Sequence, residues 1–186
     1  DLDLALQGAD FVVTQIRVGK LPCRHLDESI PKKYELIGQE TTGIGGFFKA
    51  QRTIPVIKHI CERIEAICPD AWLINFTNPS GIVTEFLLNY TKVKAIGLCN
   101  VPIDMIDDVK EITGLDSEVT YVGLNHLSWI TSIVKDGEEL LPKLIEEGFS
   151  PKVMANIKDD GFSLECLKAI EGIPSSYLQY YYNRNA

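Results

Sequence analysis

The sequence has no CxxC pair, no internal repeat, no low-complexity tract and no apolar run near the ~20 residues that span a bilayer. Each absence removes a class of protein. The five cysteines, Cys23, Cys61, Cys68, Cys99 and Cys166, are odd in number and widely spaced, which argues against a disulfide framework. With no signal peptide in view, this usage favours a reducing cytoplasm in which most thiols are small buried apolar groups. Positive charge is also scarce, with 18 Lys and Arg against 26 Asp and Glu and a formal net charge of −8. That balance disfavours nonspecific attraction to nucleic acid or anionic membranes, but it still allows a local basic pocket for a phosphate-sized anion.

What is present is globular. At 186 residues, 45% hydrophobic and 24% charged, the chain can bury a real core, as one domain or as one domain with part of a second. It begins at Asp1 rather than Met, and DLDLALQGAD reads as the end of a helix leading into a strand. An upstream portion is therefore expected to be absent.

Phe11 to Val18, Ala71 to Phe76 and Lys94 to Cys99 are short runs rich in apolar and β-branched residues, as buried parallel strands are. Between the first two, Phe48, Ile54, Ile57, Ile60, Ile64 and Ile67 mostly recur at helical spacing within Gly45 to Ile67. Pro79 starts a helix to Leu88, and Pro102 opens another to Gly114. Alternating strand and helix predicts a Rossmann-like, doubly wound parallel sheet with helices on both faces, lacking its N-terminal strands. Residues 1–116 form this incomplete domain. Residues 117–186 then begin an α+β substrate domain, with strands over Val119 to Val134, a KDGE turn, and a mainly helical remainder ending in SSYLQYYYN.

In open α/β sheets ligands bind beyond the carboxyl ends of the strands, where Arg17, Asn75 to Asn78, Cys99 and Asn100 fall. Cys99 reads either as a buried thiol or as a metal ligand, since the proline-started helix after it favours negative charge at its N-terminus. His126 reads either as a packed histidine or as the second ligand. Two protein ligands would leave coordination positions for substrate oxygens, as catalytic metals require, whereas a structural zinc fills four. The glycines of IGQETTGIGGFFKA lack the P-loop lysine and serine and read as a helix entry, with Glu40 a supporting carboxylate. Arg24 is a surface charge or an anion clamp. Tyr177, Tyr180, Tyr181 and Tyr182 are packing aromatics, or one of them is a base.

IPKKYELIGQETTGIGGFFKA, INFTNPSGIVTE, GLCNVPIDM, GLNHLSW and IPSSYLQYYY, in that order across nearly the whole chain, resemble the NAD-dependent family 4 glycoside hydrolases, specifically the 6-phospho-β-glucosidases. Members that cleave α-linked phosphosugars tend to carry Asp after the cysteine, so Asn100 implies the β-type. The resemblance implies Cys99 and His126 as ligands of a divalent metal, usually Mn2+. It also implies Arg24 and Asn78 as holders of the phosphorylated sugar, Asn100 as a residue lining the substrate site, Tyr177 as the base, and Glu40 close enough to raise its basicity. Phosphorylated disaccharides such as phosphorylated cellobiose, or other β-glucosides, are the implied substrates. The implied mechanism, outside the two-carboxylate scheme, is oxidation at C3 by NAD+, deprotonation at C2, elimination, water addition and re-reduction. A homodimer or homotetramer is expected at full length, with neither nucleic acid nor membrane as partner.

The family's Gly-rich NAD turn lies upstream of Asp1 and its C-terminal region beyond the tyrosine cluster, so the isolated chain is expected to bind NAD weakly and to be inactive. Two alternatives stand beside this reading. INFTNP also resembles the strand-end Asn-Pro of lactate and malate dehydrogenases, which need no metal, and a noncatalytic fragment would use Cys99 and His126 only for packing.

Overall fold

A computed structural model of the chain describes residues 1–124, 126–149 and 161–182. Cα packing divides it into two compact units, Asp1–Leu98 and Cys99–Ala186. Residues 150–160, read from sequence as part of a helical stretch, lie outside the described residues.

In the first unit, β1 (Phe11–Thr14), β2 (Trp72–Asn75) and β3 (Lys94–Gly97) form a parallel sheet in the order β1-β2-β3. The expected α/β class and parallel pairing are both present. The strands are shorter than their apolar runs because the chain leaves the ladder for other partners. Beyond Thr14, for example, the Ile16 amide donates to Thr77 Oγ1 at 3.1 Å.

The helices of this unit are α1 (Leu2–Leu6), α2 (Lys20–Lys32), α3 (Gly43–Ile67) and α4 (Ser80–Tyr90). Ile57, Cys61 and Ile64 on α3, Val83 and Leu87 on α4, and Leu6 on α1 bury against Leu73 of the sheet. Those α3 positions repeat at four and three residues, which places them on one stripe of the helix. The register aligns Phe11 with Trp72 and Val13 with Ile74 and Ile96. Strand alternation sends this set to the opposite face, where Phe11, Val13, Trp72 and Ile96 remain exposed. Within this unit the described helices α1, α3 and α4 pack on the Leu73 face of the sheet.

Gly45 explains how α3 enters. A Cβ there would lie 2.5 Å from the Asp27 carbonyl oxygen and 2.6 Å from that of Gln39, so only glycine lets the first turn sit against α2 and its following loop. The glycines of this segment thus serve a helix entry. A one-to-one ion pair also joins the two helices, with Arg52 donating to both Asp27 oxygens at 2.9 and 2.5 Å.

The second unit begins with α5 (Val101–Thr113), followed by β4 (Glu118–Leu124), β5 (Leu127–Lys135) and the short β6 (Glu138–Glu139) in antiparallel pairing. After α6 (Leu141–Glu146) and α7 (Leu164–Ile170), a two-residue strand, β7 (Ile173–Pro174), pairs with β5. A 3-10 turn over Ser176–Leu178 and α8 (Gln179–Tyr182) follow. Val101, Met105 and Val109 of α5 share a core with Ile130, Ile133, Leu144, Leu167, Ile173 and Tyr177. Among the described residues no helix is long and apolar enough to cross a membrane.

Candidate active site

The β4–β5 hairpin carries His126. Leu124 pairs with Leu127, and His126 lies in the connection between them at φ 61°. Such turns favour glycine or asparagine because an L side chain in the left-handed region meets its own backbone. A histidine held there at 3% exposure is a local cost that the surrounding packing supports. Gly123, at φ 124°, precedes the turn where a Cβ would lie 2.3 Å from the Leu127 carbonyl oxygen. A register slip between Thr120 and Tyr121 re-aims the strand end. Tyr121 then shares a hydrogen bond with Ser128. Burial pushes the Tyr121 phenol up, with the nearby Cys99 adding to the effect and the Ser128 bond opposing it.

The backbone conformation of His126 supports a definite expectation. His126→Gly should be more stable than His126→Ala by about 1 kcal/mol, the reverse of the usual order, because only glycine accepts positive φ without strain. Denaturant midpoints of the two variants check this.

Cys99 immediately precedes α5, with Asn100 at the helix N-cap and Pro102 in the first turn. Its Sγ lies 3.8 Å from His126 Nε2. For bonds of about 2.3 Å to sulfur and about 2.1 Å to nitrogen, that separation corresponds to an angle of about 120° at a shared metal. The donor pair therefore fits one metal ion. Among the described residues no group of three or more His, Cys, Asp and Glu side chains gathers for a metal, so coordination positions would remain for small-molecule oxygens.

Tyr177 reaches this pair through β7. Ile173 and Pro174 pair with Ile130 and Trp129, and the Ser175 amide donates to the Ser128 carbonyl at 2.9 Å. The following turn lays the Tyr177 ring flat on the His126 imidazole, with centroids 3.5 Å apart and planes 10° from parallel. Cys99, His126 and Tyr177 thus come together within one unit. Asn100 is exposed, and its Nδ2 donates to Asp104 at 2.9 Å. Ser128 and Ser175 were missed from sequence, since a serine in a strand carries no signal of what lies across the ladder. Ser175 is fully buried, and among the described residues its hydroxyl has no hydrogen-bond partner.

The remaining predicted residues lie in the first unit. Asn78 closes the loop after β2, forms a cis peptide with Pro79, and accepts the Ser80 amide at 3.2 Å. Nearby, Asn75 Oδ1 accepts from the Thr14 hydroxyl at 3.0 Å and the Thr77 amide at 3.1 Å, which ties the carboxyl ends of β1 and β2 together. Arg24 on α2 donates to Glu28 at 2.8 Å and approaches Glu40 at 3.7 Å.

Glu40 is buried among cations. Lys49 donates to it at 2.7 Å, and Arg17 donates to the same oxygen. Burial pushes the Glu40 carboxyl up, but hydrogen bonds from Arg17 and Lys49 and the charges of Lys49 and Arg24 outweigh it, so its pKa lies below the usual value. Burial pushes the Lys49 ammonium down, with Glu40 opposing and Arg17 and Arg24 adding to the shift. Lys49 was missed, although its spacing of four from Thr53 and of eight from Ile57 sets a charge on the buried stripe of α3. Because folded Glu40 holds its proton less tightly than in the unfolded chain, its stabilisation is complete above the ordinary carboxylate range. It is lost as pH falls through that range to the lower folded value. Glu40→Gln should flatten the acid limb of the stability profile, measured as denaturant midpoints against pH.

Comparison with known proteins bears on what this arrangement is for. Residues 1–115 match the family 4 glycosyl hydrolase model, and residues 121–186 match the model of that family's C-terminal domain. The chain belongs to glycosyl hydrolase family 4. It is 48% identical over 185 residues to a probable 6-phospho-β-glucosidase of Bacillus subtilis, covering 96% of this chain and 42% of that protein. To the 6-phospho-β-glucosidase of Escherichia coli it is 43% identical over 189 residues, covering 97% and 42% respectively. The structure of the 6-phospho-β-glucosidase of Thermotoga maritima with manganese, NAD+ and glucose 6-phosphate superimposes with a TM-score of 0.83 at 38% identity, covering 99% of this chain and 45% of that one. The chain spans less than half the length of these family 4 relatives. Membership in this family sets aside the hydroxy-acid dehydrogenase alternative.

Proposed function

We propose that the protein carrying this chain is an NAD- and metal-dependent 6-phospho-β-glucosidase, acting on phosphorylated disaccharides or β-glucosides. The observation that carries the reading is the Cys99–His126 pair, 3.8 Å apart with Tyr177 stacked on the imidazole, in a chain whose relatives include 6-phospho-β-glucosidases. A division of labour between residues 1–116, binding the dinucleotide, and residues 117–186, beginning the substrate domain, belongs to the same proposal. So do a cytoplasmic location and a homodimer or homotetramer.

Cys99 and His126 would hold the metal, for which Mn2+ is proposed, and the polar ends of β1 and β2 would face NAD+, as open parallel sheets do. When bound, the metal supplies Lewis acidity toward hydroxyl oxygens and NAD+ supplies a reversible hydride acceptor. The chain's own residues supply position and proton transfer. Arg24 and Asn78 hold the sugar's 6-phosphate, Arg24 as a fixed cation and Asn78 through its side-chain amide. Asn100 lines the sugar site as a neutral residue. The Tyr177 phenol oxygen takes the proton from sugar C2 in its ionised form, with Glu40 supporting its basicity. Tyr177 is 8% exposed, and such burial excludes water that would compete for the proton.

The direct test is hydrolysis of p-nitrophenyl 6-phospho-β-glucoside by the full-length protein. Activity should require both NAD+ and Mn2+, and turnover unchanged by omitting either would reject the proposal. The non-phosphorylated glucoside should be a poor substrate.

A further inference from the structure

Ser128 sits where a hydroxyl is unfavourable. It is fully buried on β5, and strand alternation puts it on the same face as Ile130, a fully buried core residue. The register sets Ile130 opposite Tyr121 on β4 and opposite Ile173 on β7, so these residues share that face. Cys99 and Tyr121 both pack against the core that contains Ile130, Ile173 and the α5 residues Val101 and Met105. An alanine and a phenylalanine would fill this face without the desolvation that two hydroxyls require. Core packing therefore does not account for the Tyr121–Ser128 hydrogen bond.

The place of that bond in the hairpin does account for it. Tyr121 precedes Gly123 on β4 and Ser128 follows His126 on β5, so the bond spans both the glycine and the histidine. The backbone fixes this end of the hairpin poorly. The ladder slips between Thr120 and Tyr121, Gly123 stands at φ 124°, and His126 is held at φ 61°, a conformation that an L residue keeps only when its surroundings enforce it. Ser128 is the anchored side. Its strand pairs with β4 and with β7, and its carbonyl accepts the Ser175 amide at 2.9 Å. Because Ser128 pairs with Gly123, Tyr121 is its diagonal neighbour, and a tyrosine is long enough for that diagonal of about 7–8 Å. Gly123 places no side chain between them, where a Cβ would lie 2.9 Å from that of Ser128.

We propose that Tyr121 and Ser128 are positioning residues, whose hydroxyl bond braces the His126 end of the hairpin and so fixes the imidazole for a metal shared with Cys99. The proposal rests on the reading that Cys99 and His126 bind the metal, and adds two residues that act through His126. The tolerance is small. Among the described residues no third His, Cys, Asp or Glu joins the two donors, which stand 3.8 Å apart, so a displaced imidazole has nothing to compensate for it.

Cobalt titration of the full-length protein, read by the thiolate-to-cobalt charge-transfer band and set beside thermal melting of each metal-free protein, tests this. Tyr121→Phe and Ser128→Ala should each weaken Co2+ binding about tenfold, as loss of groups that orient metal ligands does, and should shift the ligand-field absorption. Each should also melt below the wild type, because it deprives one hydroxyl of its partner. The double variant, Tyr121→Phe with Ser128→Ala, leaves neither hydroxyl behind. It should regain most of the melting loss and still bind Co2+ as weakly as the single variants. Should Ser128→Ala fail to fold, Tyr121→Phe at its half-buried position and the double variant still decide the matter.

Single variants with wild-type Co2+ affinity and spectrum would overturn this proposal and leave the Cys99–His126 reading intact. A double variant whose Co2+ affinity recovers together with its melting would also overturn it, since stability alone would then explain the loss. A folded wild type that gives no charge-transfer band with Co2+ would reject the metal reading itself, and this proposal with it.

Discussion

Cys99→Ser should lower the chain's affinity for Mn2+ and Co2+ by about 100-fold or more, and His126→Ala should do the same. The reason is the small number of donors. Among the described residues no third His, Cys, Asp or Glu stands with this pair, so removing one leaves a single protein ligand. Cobalt is the more informative ion because its bond to a thiolate gives a charge-transfer absorption that a serine cannot give. Donor softness predicts that Co2+ binds more tightly than Mn2+ even in the wild type, since a thiolate and an imidazole suit the later first-row metals. A Cys99→Ser chain with wild-type affinity would return Cys99 to the role of a packed thiol.

Tyr177→Phe separates metal binding from chemistry. Phenylalanine keeps the ring that stacks at 3.5 Å on His126 and removes only the hydroxyl, so metal affinity should change less than twofold. Turnover by the full-length protein should fall by about 10²- to 10⁴-fold, the range expected on loss of a general base. Deuterium from solvent should also stop appearing at C2 of the released sugar phosphate, an exchange that a structural tyrosine would not control. Near-wild-type turnover with retained exchange would move the base to another residue. Tyr177→Ala, which loses the stack as well, should weaken metal binding and thereby report the ring's part in fixing the imidazole.

The α/β character of the first unit was legible because buried parallel strands are short continuous apolar runs and α3 repeats its apolar positions at helical spacing. Strand limits were less so, since Thr14 and Asn75 end their ladders by side-chain and backbone bonds to each other's loops, which have no local signature. Cys99 and His126 stood out by residue type and by position at the ends of apolar runs. What sequence could not show is that β7, two residues long, pairs with β5 and delivers Tyr177 to His126 across about 50 residues of chain. Lys49 was legible in principle, because a lysine on the phase of Thr53 and Ile57 must find a buried partner. That partner, Glu40, lies nine residues earlier and outside the helix.

The most direct test of the central claim is anomalous diffraction at the manganese edge from crystals of the chain soaked in Mn2+. The account predicts a peak within about 2.0–2.5 Å of both Cys99 Sγ and His126 Nε2, abolished in Cys99→Ser. Manganese bound elsewhere, or a wild-type crystal at saturating Mn2+ with no peak between these two atoms, would contradict it.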